Sequence, residues 1–356
     1  MSDCVESMSV YKLISSLKLT KSSNSSDFGK KCSFSFRKEE WMIKVVELFG
    51  GIGAVRKTLD KENIEYKSVG YVELDKNACK SYNAIFNENY SPMSVCDYHL
   101  PDEQIDLLIH GSPCTNFSSS GLRTGGVEGS GTASSLMWET VRIIREAKYK
   151  PKIVLWENVA VTTKYPEYQR YLEKMGELGY TNSFKILNSL DFGIPQSRNR
   201  VFTISILGDK KFDFDNLETK PMKPLEEILE KDVDWNKYKV ADRTIKIMLG
   251  EMPNNPYNGR KMLVRNYLKT LTTKPDQVPT VNIFKSEDGK YRHLTELESW
   301  RGMGFDDEDF YKCRELYPIR YIRGKECKCG ILYKQAGNSI VVDVLQAIVK
   351  ELIKYL

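Results

Sequence analysis

The sequence predicts an α/β protein with a doubly wound, Rossmann-like sheet and a second, smaller domain. From Met42 to about residue 208, short apolar runs rich in β-branched residues alternate with helical patterns. The first run breaks at a glycine-rich turn, and residues 209–290 carry six prolines and a weaker periodicity. Strands that alternate with helices at this spacing indicate a parallel sheet with helices on both faces. The change near residue 208 indicates the second domain.

Five strands are expected in this sheet, all of them parallel. A helical pattern follows the first strand through Leu59, another follows the second strand, and a third closes the chain as VVDVLQAIVKELIKYL. The predicted strands are IKVVELF (43–49), VGYVELD (69–75), IDLLIHG (105–111), KIVLWENV (152–159) and VFTISIL (201–207).

The same patterns divide the chain into three parts. Residues 1–40 are rich in Ser and Lys and lack an apolar period, so we interpret them as an N-terminal extension of unassigned order. Residues 41–208 form the first domain, and the ordered pattern near the C-terminus adds residues 333–356 to it. Residues 209–332 form the second domain.

Composition narrows the class of protein. The chain of 356 residues has 41% hydrophobic and 28% charged residues, which is typical of a globular protein. It has no apolar run of 18 residues and no basic start followed by an apolar stretch, so neither a membrane span nor a secretion signal is expected. The eight scattered cysteines fit free thiols in a reducing cytoplasm better than a disulfide framework. The net charge of +5 is compatible with nucleic acid but does not require it.

The glycine turn and two later acids predict a site for a small molecule. The segment Phe49 to Gly53 follows the first strand and precedes a helix, where free backbone N–H groups accept a ligand at close approach. Glu73 ends the second strand, where a ribose hydroxyl would need an acceptor, and Asp97 follows later. Alternatively, the glycines serve packing alone and the two acids cap helices.

Cys114 comes directly after the third strand, behind a proline. A cysteine at the carboxyl end of a strand faces the ligand edge of an open sheet, where backbone N–H groups favour the nucleophilic thiolate. A buried structural cysteine is the commoner alternative. Residues 115–135 contain five glycines and six serines, which fits either a linker or a mobile loop that closes over substrate.

Seven motifs in order show what these residues resemble. From residue 42 to the end, the chain resembles the cytosine-5 DNA methyltransferase family of bacterial or bacteriophage type. The segments that carry the resemblance are ELFGGIGA, VELD, GSPCTNFS, WENV, FGIPQSRNRVF, RHLTELESWRGMGF and QAGNSIVVDVLQAI. Three positions depart from the usual pattern: Ser112 stands where an aromatic is common, Thr115 where Gln is common, and RGMGF where the family usually has Arg-Leu-Gln-Gly-Phe. The nucleophile and the acid are intact.

The resemblance implies a covalent mechanism on a flipped-out cytosine. Cys114 would add to carbon 6 of the ring, and a protonated Glu157 would offset charge at ring nitrogen 3. Burial behind the KIVLW strand would raise the pKa of Glu157 enough for this role. Arg200, together with Arg198, would fix Glu157 or the carbonyl oxygen of the base. Without the resemblance, a helix cap and surface ion pairs would explain Glu157 and the arginines equally well.

The resemblance also implies S-adenosylmethionine as the methyl donor and assigns its contacts. Glu73 would hold the ribose, Asp97 the adenine amino group, and Leu74 and Tyr98 the faces of the adenine. The remaining contacts would come from Phe49, Gly51, Ile52, Gly53, Pro113, Asn338 and Ser339. Since Asn338 and Ser339 belong to the last motif, the C-terminal helix must fold back onto the first domain.

Double-stranded DNA is the implied partner. A base inside a duplex must be flipped out to reach a thiolate, and the loop at 115–135 would cover it through residues such as Ser118 and Ser120. Residues 209–332 would be the target-recognition domain and 41–208 with 333–356 the catalytic domain. Within the former, Arg260, Lys261 and Arg265 belong to an acid-free stretch that alone predicts only a solvated surface, and that the resemblance makes a DNA surface. A monomer is expected, and a cognate restriction endonuclease is compatible with this family.

Three other functions would account for part of the sequence. An RNA methyltransferase shares the nucleophile, but the separate second domain and the absence of a Pro-Pro-Cys motif favour DNA. A DNA-binding homologue without activity is disfavoured by the intact Cys114, Glu157 and Arg200. A dinucleotide-dependent oxidoreductase leaves the Pro-Cys and closing motifs unexplained. Cys327 and Cys329 with Cys313 do not form a four-ligand set, so no metal is expected.

Overall fold

A six-stranded sheet forms the centre of the protein. The computed structural model describes residues 42–117, 126–278 and 282–356. The strands of the sheet follow the order β2-β1-β3-β4-β7-β5. They are β1 (Ile43–Leu48), β2 (Tyr66–Val72), β3 (Leu107–His110), β4 (Ile153–Val159), β5 (Tyr180–Asn188) and β7 (Asn199–Leu207), and the short strand β6 (Gln196–Ser197) lies outside this sheet.

The sheet is mixed, so the prediction of five parallel strands was correct for four of them and wrong for the fifth. Strands β1 to β4 run parallel, but β7 pairs antiparallel with both β4 and β5. The physical reason is the short link between β5 and β7, which lacks room for the crossover that a parallel pair requires. Strand β5 was not predicted from the sequence, because it has few β-branched residues and only three of its nine residues are buried.

Nine α-helices and five further short strands complete the described part of the chain. The helices are α1 (Ala54–Lys61), α2 (Lys76–Phe86), α3 (Met137–Glu146), α4 (Pro166–Glu177), α5 (Asp242–Leu249), α6 (Glu296–Arg301), α7 (Asp307–Glu315), α8 (Gly330–Asn338) and α9 (Val342–Leu352). The strands are β8 (Leu268–Lys269), β9 (Ile283–Lys285), β10 (Tyr291–His293), β11 (Tyr321–Ile322) and β12 (Lys325–Glu326). None of the helices in the described ranges combines the length and apolar character needed to span a bilayer.

Helices cover both faces of the sheet, which confirms the doubly wound fold. Successive residues of a strand point to opposite faces. Val45 therefore packs in one core with α1 and α9, whereas its neighbour Val46 packs in a second core with α3 and α4. Because α9 covers the same face as α1, the C-terminal segment does fold back onto the first part of the chain, as the last motif requires.

The segment after β7 contributes to two cores. A small cluster of Val240, Ile247, Met262 and Ile283 joins α5 to the strands that follow it. By contrast, Trp300 of α6 is fully buried in the core beneath the large sheet. Helices α6 and α7 thus pack with the large sheet, while the residues around α5 have a small core of their own.

Gly337, near the end of α8, marks the tightest contact between the C-terminal segment and the chain before β9. A β-carbon at this position would lie 2.4 Å from the carbonyl carbon of Thr272 and 2.5 Å from the nitrogen of Thr273. Those atoms belong to the backbone, which a larger side chain could accommodate only by moving the strand-like segment away from α8. Glycine here is therefore required by packing.

We predict that Gly337→Ala destabilises the protein by about 1–3 kcal/mol, the usual range for overpacking a filled interior. Thermal unfolding followed by calorimetry measures this. Gly330→Ala is the matched control, since it lies in the same helix and has no atom within 4 Å of the added carbon. Equal unfolding temperatures for the two variants would contradict the packing role of Gly337.

Candidate active site

The loop after β1 forms one wall of the site. Phe49, Gly51 and Gly53 all have positive φ values, of 56°, 57° and 84°. These left-handed residues turn the chain sharply between the strand and α1, and the Tyr71 hydroxyl fixes the turn by donating to the Gly51 carbonyl at 2.7 Å. A β-carbon on Gly51 would meet no atom within 4 Å, because this residue faces open cavity. The turn therefore presents bare backbone to whatever fills that space.

Glu73 lies beside this turn and is held by two backbone donors. One carboxylate oxygen accepts from the Gly51 N–H at 3.0 Å and the other from the Asp75 N–H at 2.8 Å. Burial raises the pKa of Glu73, and these backbone donors partly oppose the rise. Each oxygen keeps a further acceptor position, and the residue lines the cavity. The carboxylate is thus fixed in a geometry suited to a pair of hydroxyl groups.

The Cys114 loop follows β3 and is anchored by the end of β4. The Trp156 indole donates to the Ser112 hydroxyl at 3.1 Å, and the Asn158 amide donates to the Ser112 carbonyl at 3.1 Å. Ser112 therefore provides a hydrogen-bonding anchor at the position where the sequence departs from the usual aromatic. The loop is also clasped beyond the cysteine, where the backbone N–H groups of Asn116 and Ser134 each donate to the other residue's side chain.

Glu157 and Arg200 form an ion pair across β4 and β7. The antiparallel register puts Arg200 opposite Val159, two residues beyond Glu157. The Arg200 Nε lies 3.0 Å from the Glu157 Oε1, and both side chains are largely buried. Burial raises the pKa of Glu157, while the charges of Arg200 and Arg198 oppose that rise. The site therefore contains a carboxyl group whose proton affinity depends on two neighbouring cations.

Arg198 has a different set of contacts from the one predicted. Its terminal nitrogens donate to the backbone carbonyls of Leu271, Gly337 and Ser339, at 2.9, 3.1 and 3.0 Å. These hydrogen bonds join β7 to the segment after β8 and to the end of α8 rather than to Glu157, and the contact with the base stays a prediction. Burial lowers the pKa of Arg198 to about 9.

The Cys114 thiol lies in the same field of charges. Burial raises its pKa, Arg200 lowers it, and Glu157 raises it. At neutral pH the resting cysteine is therefore mainly a protonated thiol. Arg200 is the larger of the two charge effects, so this arginine favours the thiolate.

One cavity of about 290 Å³ brings most of the predicted site residues together. The predicted residues that line it are Phe49, Gly51, Ile52, Glu73, Pro113, Cys114, Glu157, Arg198, Arg200, Asn338 and Ser339. They come from six separate stretches of sequence, and the carboxyl ends of β1, β3 and β4 meet here, as expected for an open α/β sheet.

Four predicted cofactor residues lie outside the lining of this cavity. Gly53 is the N-cap of α1, and Leu74 is 68% exposed just beyond Glu73. Asp97 is exposed in a short 3₁₀-helix at Val95–Asp97. Tyr98 packs with the core that contains Val46, and its hydroxyl contacts Gly70 closely. The apolar side chain of Leu74 is thus accessible to a ligand, whereas the ring of Tyr98 is engaged in packing.

Three of the five predicted DNA-binding residues lie in the part of the chain that the structure describes. Arg260, Lys261 and Arg265 are all exposed in the segment between α5 and β8. Ser118 and Ser120 lie outside the described residues, as does the central part of the loop at 115–135. The three cations are therefore accessible, and the serine assignments stay predictions.

Several residues of the site were missed by the sequence reading. Asp75 and Lys334 form an ion pair at the edge of the cavity, and both line it. Gln196 is fully buried and joins the Gly302 carbonyl to the Leu271 N–H. Gln196 stands in the predicted Gln-x-Arg-x-Arg motif and could have been proposed from it. No pattern in the sequence connects Asp75 with a lysine more than 250 residues away.

The comparisons with known proteins agree with this architecture. The family model described as C-5 cytosine-specific DNA methylase matches residues 43–354. The type II methyltransferase M2.ScrFI of Lactococcus lactis subsp. cremoris is 31% identical, with 88% of this chain and 99% of the relative covered. The orphan methyltransferase M.SPBetaI of Bacillus phage SPbeta is 28% identical, over 87% of this chain and 97% of that protein.

A solved structure supports the fold independently. The S. pombe Dnmt2 methyltransferase superposes with a TM-score of 0.69 at 19% identity, over 88% of this chain and 98% of that one. At this identity the likeness concerns the fold alone. The family match extends over nearly all of the described chain and includes every element that forms the cavity. This chain belongs to the C-5 cytosine-specific DNA methylase family.

Proposed function

We propose that this DNA (cytosine-5)-methyltransferase works through Cys114 as its nucleophile, with Glu157 and Arg200 as its catalytic partners. The observation that carries the proposal is the single cavity that all three residues line together with the glycine turn. Covalent attack on a ring requires a nucleophile, a proton donor and a fixed cation within one enclosed space.

S-adenosylmethionine is the cofactor of this family, and the residues present fit it. Glu73 offers two free acceptor positions to the ribose hydroxyls, Gly51 leaves the space that a β-carbon would fill, and the exposed Leu74 is free to cover the adenine. Phe49, Ile52, Pro113, Asn338 and Ser339 would enclose the remainder. When bound, the cofactor supplies an electrophilic methyl group on a sulfonium.

The chemistry of the residues follows from the charges in the site. The Cys114 thiolate forms a bond to carbon 6 of cytosine, the electron pair of the 5,6 double bond shifts to the bond between carbons 4 and 5, and the pair of the carbon 4–nitrogen 3 double bond moves onto nitrogen 3. A protonated Glu157 donates to ring nitrogen 3, where negative charge develops, so its raised pKa serves the reaction. Arg200 stabilises both the thiolate and the carbonyl side of the ring. After methylation, loss of the proton on carbon 5 and cleavage of the sulfur–carbon bond restore the aromatic ring.

Arg198 acts as a positioning residue in this proposal. Its three hydrogen bonds to backbone carbonyls hold β7, and with it Arg200, against the end of α8. Asn338 and Ser339, at that end, are proposed cofactor contacts. One buried guanidinium therefore fixes the spacing between the base side and the cofactor side of the cavity.

We also infer that residues 209–332 include the target-recognition domain. Its small core around Val240 and Met262 and its exposed cations Arg260, Lys261 and Arg265 support this assignment. A duplex would be held there while the target cytosine is flipped into the cavity, at a cost of a few kcal/mol. The same proposal assigns 41–208 with 333–356 to the catalytic part, against whose core α6 and α7 pack although they precede residue 333.

The cellular setting is proposed from the substrate and the relatives. A DNA-modifying enzyme with free cysteines fits a cytoplasmic monomer. One relative is named a type II methyltransferase and another an orphan methyltransferase. A cognate restriction endonuclease is proposed on the first of these likenesses, and a gene for one adjacent to the coding sequence would support it.

Transfer RNA is the alternative substrate, since an RNA methyltransferase would use the same cysteine nucleophile. Bisulfite sequencing of DNA and of transfer RNA from cells expressing the protein separates the two. We expect methylcytosine at one recurring DNA sequence and none in transfer RNA above the level of cells without the protein. Methylation confined to transfer RNA would overturn the assignment of the substrate.

We predict that Cys114→Ser reduces methyl transfer to background, because an alcohol at this position does not supply the thiolate. Binding of S-adenosylmethionine, measured by calorimetry, is expected to persist. Cys96→Ser is the matched control, since Cys96 is exposed and is not one of the residues that line the cavity. Near-normal turnover in the Cys114 variant would show that the nucleophile has been assigned wrongly.

We predict that Arg200→Gln lowers kcat by roughly 10²–10³-fold, the loss typical of removing one charge-stabilising donor. The same change removes the cation that lowers the pKa of Cys114, so the thiol pKa rises. Since only the thiolate reacts with iodoacetamide, the curve of Cys114 alkylation against pH moves to higher pH.

Mass spectrometry of the Cys114 peptide measures that curve. Arg170→Gln removes an equal charge from an exposed position on α4 and serves as the control. A curve for the Arg200 variant that coincides with the wild-type curve would contradict the electrostatic link between these two residues.

A further inference from the structure

A short hairpin between α7 and α8 carries cations that the reaction does not use. Strands β11 and β12 form this hairpin, with Arg323 and Gly324 in its turn at positive φ. Residues 316–330 contain four cations and one carboxylate. That carboxylate, Glu326, is paired with Lys237 at 2.7 Å. Within the described ranges, no ion pair forms with the four hairpin cations Arg320, Arg323, Lys325 and Lys328.

The hairpin borders a groove of about 510 Å³ that we call the basic groove. Five cations line it, and no described residue of its lining is an Asp or Glu. These cations are Lys80, Arg314, Arg320, Lys328 and Lys334. Lys334 is paired with Asp75, and the other four positive charges around one concave surface produce a focused field that attracts a polyanion.

Part of the groove is preorganised. The Arg314 guanidinium donates to the Tyr317 carbonyl at 2.8 Å, and the Lys80 ammonium lies over the Tyr317 ring and contacts the Leu316 carbonyl. Lys334 is held by its ion pair with Asp75. The cations on the α2 and α7 side therefore keep their positions, while Arg320 and Lys328 remain available to a ligand.

The basic groove is continuous with the active-site cavity. Asn77, Ile331 and Lys334 line both of them. A polymer that delivers one of its bases to the cavity must pass its neighbouring phosphates close to the cavity's rim. Duplex DNA carries one charge per about 1.7 Å of its axis, which gives several phosphates within reach of five cations.

We propose that the basic groove binds the phosphate backbone of the DNA substrate beside the target cytosine. This surface lies between α2 and the hairpin, so it is separate from the cations near α5 although the hairpin itself falls within residues 209–332. Contacts of this kind position the duplex without reading its sequence. The inference rests on duplex DNA being the substrate.

The test is the salt dependence of DNA binding by the Arg320→Gln/Lys328→Gln double variant. Each lost phosphate contact reduces the slope of log K against log salt concentration by about 0.9. We therefore expect the slope to fall by about 2, with affinity lost on any duplex sequence. Fluorescence anisotropy of the full chain with labelled duplex DNA, over a series of NaCl concentrations, measures both quantities.

Lys210→Gln/Lys211→Gln is the matched control because it removes the same charge. These exposed lysines follow β7, whose end pairs with the beginning of β4, so they lie at the sheet edge opposite the active site. The control should keep the wild-type slope, and Arg320→Lys/Lys328→Arg should restore it. Unchanged unfolding temperatures will show that each variant is folded.

Three outcomes would overturn the proposal. The first is a salt-dependence slope for the Arg320→Gln/Lys328→Gln variant that equals the wild-type slope. The second is a loss of slope in the Lys210→Gln/Lys211→Gln control that equals the loss in the groove variant. The third is a groove variant that loses binding to poly-glutamate but keeps its binding to duplex DNA. Because anisotropy measures binding without turnover, these outcomes are distinct from failure of the Cys114→Ser experiment.

Discussion

The buried guanidinium of Arg198 is the interaction on which the active site depends. A charged group taken out of water must find hydrogen-bond partners, and Arg198 finds them in three backbone carbonyls from two distant parts of the chain. It therefore joins β7 to the segment after β8 and to the end of α8. Gly337 allows this junction because any side chain there would collide with Thr272 and Thr273. The cavity exists because these segments are held at fixed spacing.

Inside the cavity, burial and the charge of Arg200 have opposite effects on the pKa values of Glu157 and Cys114. Glu157 is buried, which favours its protonated form, and Cys114 is buried, which favours the thiol. Arg200 favours the ionised form of both. In the proposed mechanism, attack on the ring requires an ionised thiol and a protonated carboxyl. Arg200 would therefore stabilise the thiolate without fully ionising Glu157. When cytosine enters the cavity, its ring nitrogen 3 would accept the Glu157 proton, and this would favour the attack of the thiolate.

Sequence reasoning predicted the parts of this structure that depend on local patterns. Strand-forming runs, the glycine turn and the position of Cys114 after β3 follow from periodicity and motif, and eleven of the fifteen proposed catalytic and cofactor residues line one cavity. It failed where the outcome depends on packing between distant segments. The reversed direction of β7 follows from a short link, the partners of Arg198 are backbone atoms, and the ion pair of Asp75 with Lys334 joins residues that no pattern relates.

The most direct test of the central claim is covalent trapping of the protein on duplex DNA whose target cytosine is replaced by 5-fluorocytosine, in the presence of S-adenosylmethionine. Fluorine on carbon 5 does not leave as a proton does, so the sulfur–carbon bond persists. We predict a denaturation-resistant adduct whose mass equals protein, DNA and one methyl group, with the link at the Cys114 peptide. Absence of an adduct on DNA that ordinary turnover methylates, or a link at another residue, would contradict it.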